Sequence, residues 1–78
     1  MVVREVDGEV LVLDTRSNRI HQLNATASLI WRGCREGREP ARIASELAVR
    51  FDVDEETAQR DVHETMSKLR ALELLETL

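Results

Sequence analysis

Two hydrophobic periodicities divide the chain near Asn24. Before it, apolar residues come in short β-branched runs. After it, they recur every three or four positions, the spacing of a helix face. Val2 to Val6 and Glu9 to Asp14 flank Asp7-Gly8, a dipeptide that accepts the positive φ demanded at both central positions of a two-residue hairpin turn. Val10 to Leu13 run without a polar break, which predicts a central strand covered on both faces. Thr15-Arg16-Ser17-Asn18 reads as a second turn, and Arg19 to Leu23 as a third strand. In that strand Ile20 and Gln22 face one way, and Arg19, His21 and Leu23 the other. A simple meander leaves it at an edge.

From Asn24, a good N-cap, a first helix carries Ala27, Ile30, Trp31 and Cys34 on one stripe. Gly33 and Gly37 are expected to weaken its end. Pro40 suits the first turn of a second helix, because the N–H it lacks would be unpaired there. This helix, Pro40 to Phe51, is expected to bury Ile43, Ala44 and Leu47, with Phe51 as a further candidate. Asp52-Val53-Asp54 breaks it. Asp54 then caps a third helix whose Glu55 and Glu56 complement the positive helix end. Its stripe is Ala58, Val62, Met66 and Leu69, and Leu74, Leu75 and Leu78 are expected to dock on the core. The order β-β-β-α-α-α predicts an α+β fold, a three-stranded antiparallel sheet followed by three helices, similar to a winged helix-turn-helix.

Composition narrows what such a fold can do. At 78 residues it is read as a single domain, residues 1–78, and a domain this small buries only about 60% of its unfolded surface. A deep catalytic cleft is not expected. The 42% hydrophobic content with one Trp, one Phe and no Tyr makes Trp31 an expected anchor of an aliphatic core. One cysteine and no charged leader before an apolar run predict a cytoplasmic protein without disulfides. No apolar run approaches the roughly 18 residues of a membrane span.

The chemistry-bearing residues are sparse. His21, His63 and Cys34 have no metal-ligand spacing. Cys34 lies on the apolar stripe beside Trp31, where a thiol packs as a small hydrophobe. No two carboxylates are set up as acid and base. No enzyme activity, cofactor or metal is expected. Asn24-Ala25-Thr26 matches a glycosylation acceptor, but the capping role of Asn24 explains it better.

Glu9-Val-Leu-Val-Leu-Asp14, Ile20-His-Gln-Leu-Asn24, Ile30-Trp31, Gly37, Asp61-Val62 and Leu69-Arg70 together resemble the PqqD-like family over nearly the whole chain. The resemblance implies a module that binds the leader of a ribosomally made precursor peptide and hands it to a modifying enzyme, such as a radical SAM maturase or a leader peptidase. It implies that the leader joins the third strand as an antiparallel neighbour, in a groove against the third helix. This is β-augmentation, in which main-chain hydrogen bonds give affinity and alternate side chains give selectivity. Carried over, the strand supplies Arg19, Ile20, His21, Gln22 and Leu23. The helix supplies Asp61, Val62, Thr65, Met66, Lys68, Leu69, Arg70 and Leu72. The family often has aromatic residues near the positions of Ile20 and His21, so this groove is expected to be less bulky. The unpaired edge leaves homodimerisation open.

Two other readings compete. A winged-helix DNA binder would use the second and third helices and the hairpin as a wing. However, the last third of the chain, residues 52–78, carries three basic and eight acidic side chains, and Asp54, Glu55 and Glu56 would face phosphates. Arg32, Arg35, Arg38 and Arg42 gather instead near the first inter-helix turn, as a solvated face or a contact for the partner enzyme. A subunit that only stabilises a larger enzyme would use the same surfaces.

Overall fold

The computed structural model describes residues 2–75. Strands β1 (Val2–Val6), β2 (Glu9–Asp14) and β3 (Arg19–Leu23) precede helices α1 (Ala25–Arg35), α2 (Pro40–Phe51) and α3 (Glu55–Ala71). The sheet is an antiparallel meander with β2 in the middle. Asp7 at φ 52° and Gly8 at φ 80° form the turn of the first hairpin, both positive as a type I′ turn requires. Leu78 lies outside the described residues.

Side-chain hydrogen bonds set the helix starts. Asn24 Oδ1 accepts from the Ala27 N–H at 2.8 Å, and Asp54 Oδ1 accepts from the Thr57 N–H at 2.7 Å. Each helix ends in a left-handed residue that turns later N–H groups back onto its last carbonyls. Gly37 does this for α1, Asp52 for α2 and Glu73 for α3. After α3, the Leu74 N–H donates to the Leu69 carbonyl at 2.9 Å, and both leucines are buried in one cluster.

The core has two parts joined by α1 and α3. Leu29, Ile30, Ile43, Ala44, Leu47, Ala58 and Val62 fill the space among the helices. Val10, Val12, Leu23, Trp31, Leu69 and Leu74 fill the space between sheet and helices. Trp31 anchors the second part, and its indole N–H donates to the Leu74 carbonyl at 3.2 Å. Ser28, fully buried, joins α1 to the sheet: its hydroxyl accepts from the Val10 N–H at 2.8 Å and donates to the Leu23 carbonyl at 3.0 Å. A side chain thus stands between two main-chain groups that face each other across β2 and β3.

Two expectations are corrected. β2 is not covered on both faces: Val10, Val12 and Asp14 are buried, whereas Glu9, Leu11 and Leu13 are only half-buried, because all the helices lie on one side of the sheet. Phe51 is exposed, since α2 ends there and turns away at Asp52. Gly33 lies buried in the last turn of α1. A Cβ there would stand 2.7 Å from Cγ1 of Ile43, so the missing side chain permits the close approach of α1 and α2.

Candidate functional site: the open edge of β3 beside α3

Hydrogen-bond parity determines what β3 offers. In a two-residue hairpin the residues flanking the turn form a hydrogen-bonded pair, and hydrogen-bonded and non-bonded pairs then alternate. Val6 and Glu9 flank the first turn, so Glu9, Leu11 and Leu13 direct their main-chain groups at β1. Val10, Val12 and Asp14 direct theirs at β3, opposite Leu23, His21 and Arg19. The N–H and C=O of Ile20 and Gln22 therefore point away from the sheet. Among the described residues no strand pairs with that edge.

Side chains alternate with a different consequence. Ile20, 71% exposed, and Gln22 lie on the outer sheet face, where Gln22 Nε2 donates to Glu9 Oε1 at 3.2 Å. Arg19, half-buried His21 and buried Leu23 share the face toward the helices. Arg16 pairs with Glu73 at 3.3 Å, holding the turn before β3 over the end of α3. Asp14 closes that turn by accepting from the Arg16 N–H at 3.0 Å. This hydrogen bond, helped by Ser17 and the Arg16 charge, holds its carboxyl below the ordinary value despite partial desolvation.

β3 and α3 meet through side chains, Leu23 and Leu69 sharing one buried cluster, while their Cα atoms stand more than 8 Å apart. A neighbouring strand needs about 4.8 Å in the hydrogen-bonding direction, a spacing that the α3 backbone leaves open.

The helix residues expected at the site divide into three groups. Val62 and Leu69, at 1% and 2% exposure, belong to the core, as does Leu23. Asp61 and Thr65, half-buried, and Lys68 and Leu72, exposed, follow one flank of α3. Met66 and Arg70 follow the opposite flank and, with Pro40, Ala41, Gln59, Val62 and His63, line a hollow of about 400 Å³ against the start of α2. At 100° per residue the two flanks lie on opposite sides of the buried stripe. The structure therefore does not gather all eight helix residues at one surface. The distinction was present in the helical angles, but which flank α2 occupies is a tertiary fact.

Other candidate chemistry is quiet. Burial pushes the Cys34 thiol above its ordinary value, against the pull of nearby Arg70, which keeps it protonated and unreactive. Among the described residues no three His, Cys, Asp or Glu side chains gather to hold a metal ion. No helix there is long and apolar enough to cross a membrane. The arginines expected near the first inter-helix turn are dispersed in their contacts. Arg32 pairs with Glu5, Arg38 with Glu36 and Glu46, and Arg35 stacks 5.0 Å from the centre of the Trp31 ring.

The family model for coenzyme PQQ synthesis protein D matches residues 9–75, from the start of β2 to the chain segment docked under Trp31. The chain belongs to the PqqD family. Membership agrees with the residues that carried the resemblance, since Leu23, Trp31, Val62 and Leu69 are core positions that build the shared fold. No curated protein matches this PqqD-family chain. Among solved structures, TbiB1 in complex with the TbiA(beta) leader peptide is similar, at 31% sequence identity and a TM-score of 0.86. The match covers 99% of this chain and 90% of the other.

Proposed function

We propose that this PqqD-family chain is a non-catalytic module that takes the leader of a ribosomally made precursor peptide as a fourth strand on β3 and presents it to a modifying enzyme in the cytoplasm. The observation that carries this reading is the open β3 edge, with two outward main-chain pairs at Ile20 and Gln22, in a chain so similar to a leader-bound protein. Hydrogen bonds to Ile20 and Gln22 would supply affinity regardless of sequence. Leader side chains opposite Arg19, His21 and Leu23 would project toward the helices, and those opposite Ile20 and Gln22 onto the outer sheet face.

Selectivity in this reading comes from the helix-side row. The residue opposite His21 lies toward the flank of Asp61, Thr65, Lys68 and Leu72, a wall of mixed charge that ends in an apolar side chain. Leu23, Val62 and Leu69 act from beneath by fixing the two walls rather than by touching the peptide. The recipient enzyme is a maturase, such as a radical SAM enzyme, or a leader peptidase. Without leader, the same edge is available to a second copy of the chain, so homodimerisation and leader binding would compete.

The DNA-binding alternative gains nothing from the geometry: Asp54, Glu55 and Glu56 stand exposed at the start of α3, where a recognition helix would meet phosphates. The test is a titration of isotope-labelled protein with leader peptides encoded beside its gene. Saturable amide shifts at residues 19–23 and at Asp61, Thr65, Lys68 and Leu72 are expected. Binding that leaves β3 unmoved, or no binding to any such leader, contradicts the proposal.

A further inference from the structure

A fourth strand on β3 would present two rows of side chains, one toward the helices and one on the outer sheet face. That outer face has a pattern of its own. Cross-strand partners share a face, so the register sets Val2, Leu13 and Ile20 in one line across the three strands and Arg4, Leu11 and Gln22 in the next. The first line is apolar from end to end. Leu13, at its centre, is half-buried on a face with no helix, because Val2 and Ile20 flank it. The second line ends in Gln22, whose amide donates to Glu9 at 3.2 Å. The apolar line stops at Ile20, which is 71% exposed and turns its N–H and C=O to an edge that no strand among the described residues occupies. Edge strands usually discourage pairing with a charge or a proline. Here a β-branched apolar side chain stands at the pairing position instead.

We infer that the line Val2, Leu13, Ile20 is a second selectivity site for the leader, taking an apolar side chain such as Val, Ile or an aromatic at the leader residue opposite Ile20. This rests on the proposed function, since the leader strand is what brings that residue there. Neither Val2 nor Leu13 is among the residues expected at the leader site. A directly opposite residue lies about 5.5 Å away, within side-chain contact, and extends the apolar line by one strand. An antiparallel leader passes Gln22 before Ile20, so its outer row reads polar and then, two residues later, apolar. A second copy of the chain fits less well. Paired through its own β3 about a two-fold axis, with outward groups meeting outward groups, it can centre on Ile20, His21 or Gln22. Centring on His21 uses both outward pairs but sets each Ile20 against the Gln22 of the copy. Centring on Ile20 sets Gln22 against Asn18, a turn residue at φ 57°, and centring on Gln22 sets Ile20 against Asn24, the cap of α1. No symmetric register both completes the hydrogen bonds and gives Ile20 an apolar neighbour. A leader sequence is free of that constraint.

The test is a positional scan of synthetic leader peptides encoded beside the gene, titrated into the full isotope-labelled chain, with the register read from contacts between leader and β3. Val and Thr have nearly the same shape and both suit a strand. Opposite Ile20, Thr in place of Val should weaken binding about fivefold; opposite Gln22 the same exchange should cost nothing. Ile20→Thr should weaken the Val peptide about fivefold and abolish its advantage over the Thr peptide, a coupling that loss of strand stability alone does not produce. Val49→Thr, at a site 83% exposed on α2, should change neither. Leaders that bind β3 in this register with Val and Thr equal opposite Ile20 overturn the inference and leave the proposed function standing. Leaders that bind nowhere on β3 overturn both. A dimer of the chain that buries Ile20 and persists at saturating leader assigns the line to a second copy and also overturns the inference.

Discussion

Among the described residues both outer strands of the sheet have a free side, yet only β3 rests on a helix. β1 and β3 each turn two main-chain pairs outward, Val3 and Glu5 on one, Ile20 and Gln22 on the other. β1 is exposed along its whole length, and no helix backbone comes within 8 Å of it at the Cα level. A strand added there would gain hydrogen bonds and cover little else. β3 instead rests on α1, buries Leu23 and half-buries His21 over the helical layer, so a strand added there could also lay alternate side chains toward α3. An edge supplies generic affinity, and a wall beside it supplies choice.

Proline breaks this comparison most directly. Ile20→Pro removes an outward N–H that no neighbouring strand uses, a substitution edge strands tolerate. It should weaken leader binding roughly 100-fold or more by deleting a main-chain bond and placing the ring in the incoming strand's path. Val3→Pro, its counterpart on β1, should leave leader affinity unchanged by calorimetry. Ser28→Ala comes next. It strips Val10 N–H and Leu23 C=O of their shared hydroxyl, and should cost about 2 kcal/mol in urea unfolding. Amide exchange should accelerate around β2 and β3 more than at the Asp7-Gly8 hairpin.

Smaller effects sharpen the role of the wall. Asp61→Lys should change leader affinity by roughly threefold, since a partly exposed charge contributes modestly, and should alter the preference for the leader residue opposite His21. Gln59→Lys, on the other flank, should not. The smallest effect concerns pH. The Asp14 carboxyl titrates below its ordinary 3.8 when folded, so the folded state binds its proton less readily than the unfolded chain. That stabilisation is present above 3.8 and is lost as the pH falls through the lower folded value. Asp14→Asn should flatten this acid limb of the stability profile.

Most of the fold was legible in the sequence because its boundaries are marked locally. Asp7-Gly8 requires a particular turn, Asn24 and Asp54 accept from the first amides of their helices, and Pro40 fits a first turn. The β3 edge followed from strand order alone. What stayed illegible depends on how elements meet. Gly33 reads as a weak helix position until Ile43 is seen against it. Ser28 carries no signal of its own in the sequence, and its role follows only from Val10 and Leu23 on either side of it. The eight helix residues of the expected site fall on two flanks and in the core, because sequence does not say that α2 takes the Met66 and Arg70 flank.

Amide hydrogen exchange at the four outward edge residues tests the central claim directly. In the free protein the N–H groups of Ile20 and Gln22 should exchange readily, as should those of Val3 and Glu5. Saturating leader should slow exchange at Ile20 and Gln22 by about tenfold or more and leave Val3 and Glu5 unchanged. Protection at Val3 and Glu5, or bound leader with Ile20 and Gln22 still exchanging freely, would contradict the account.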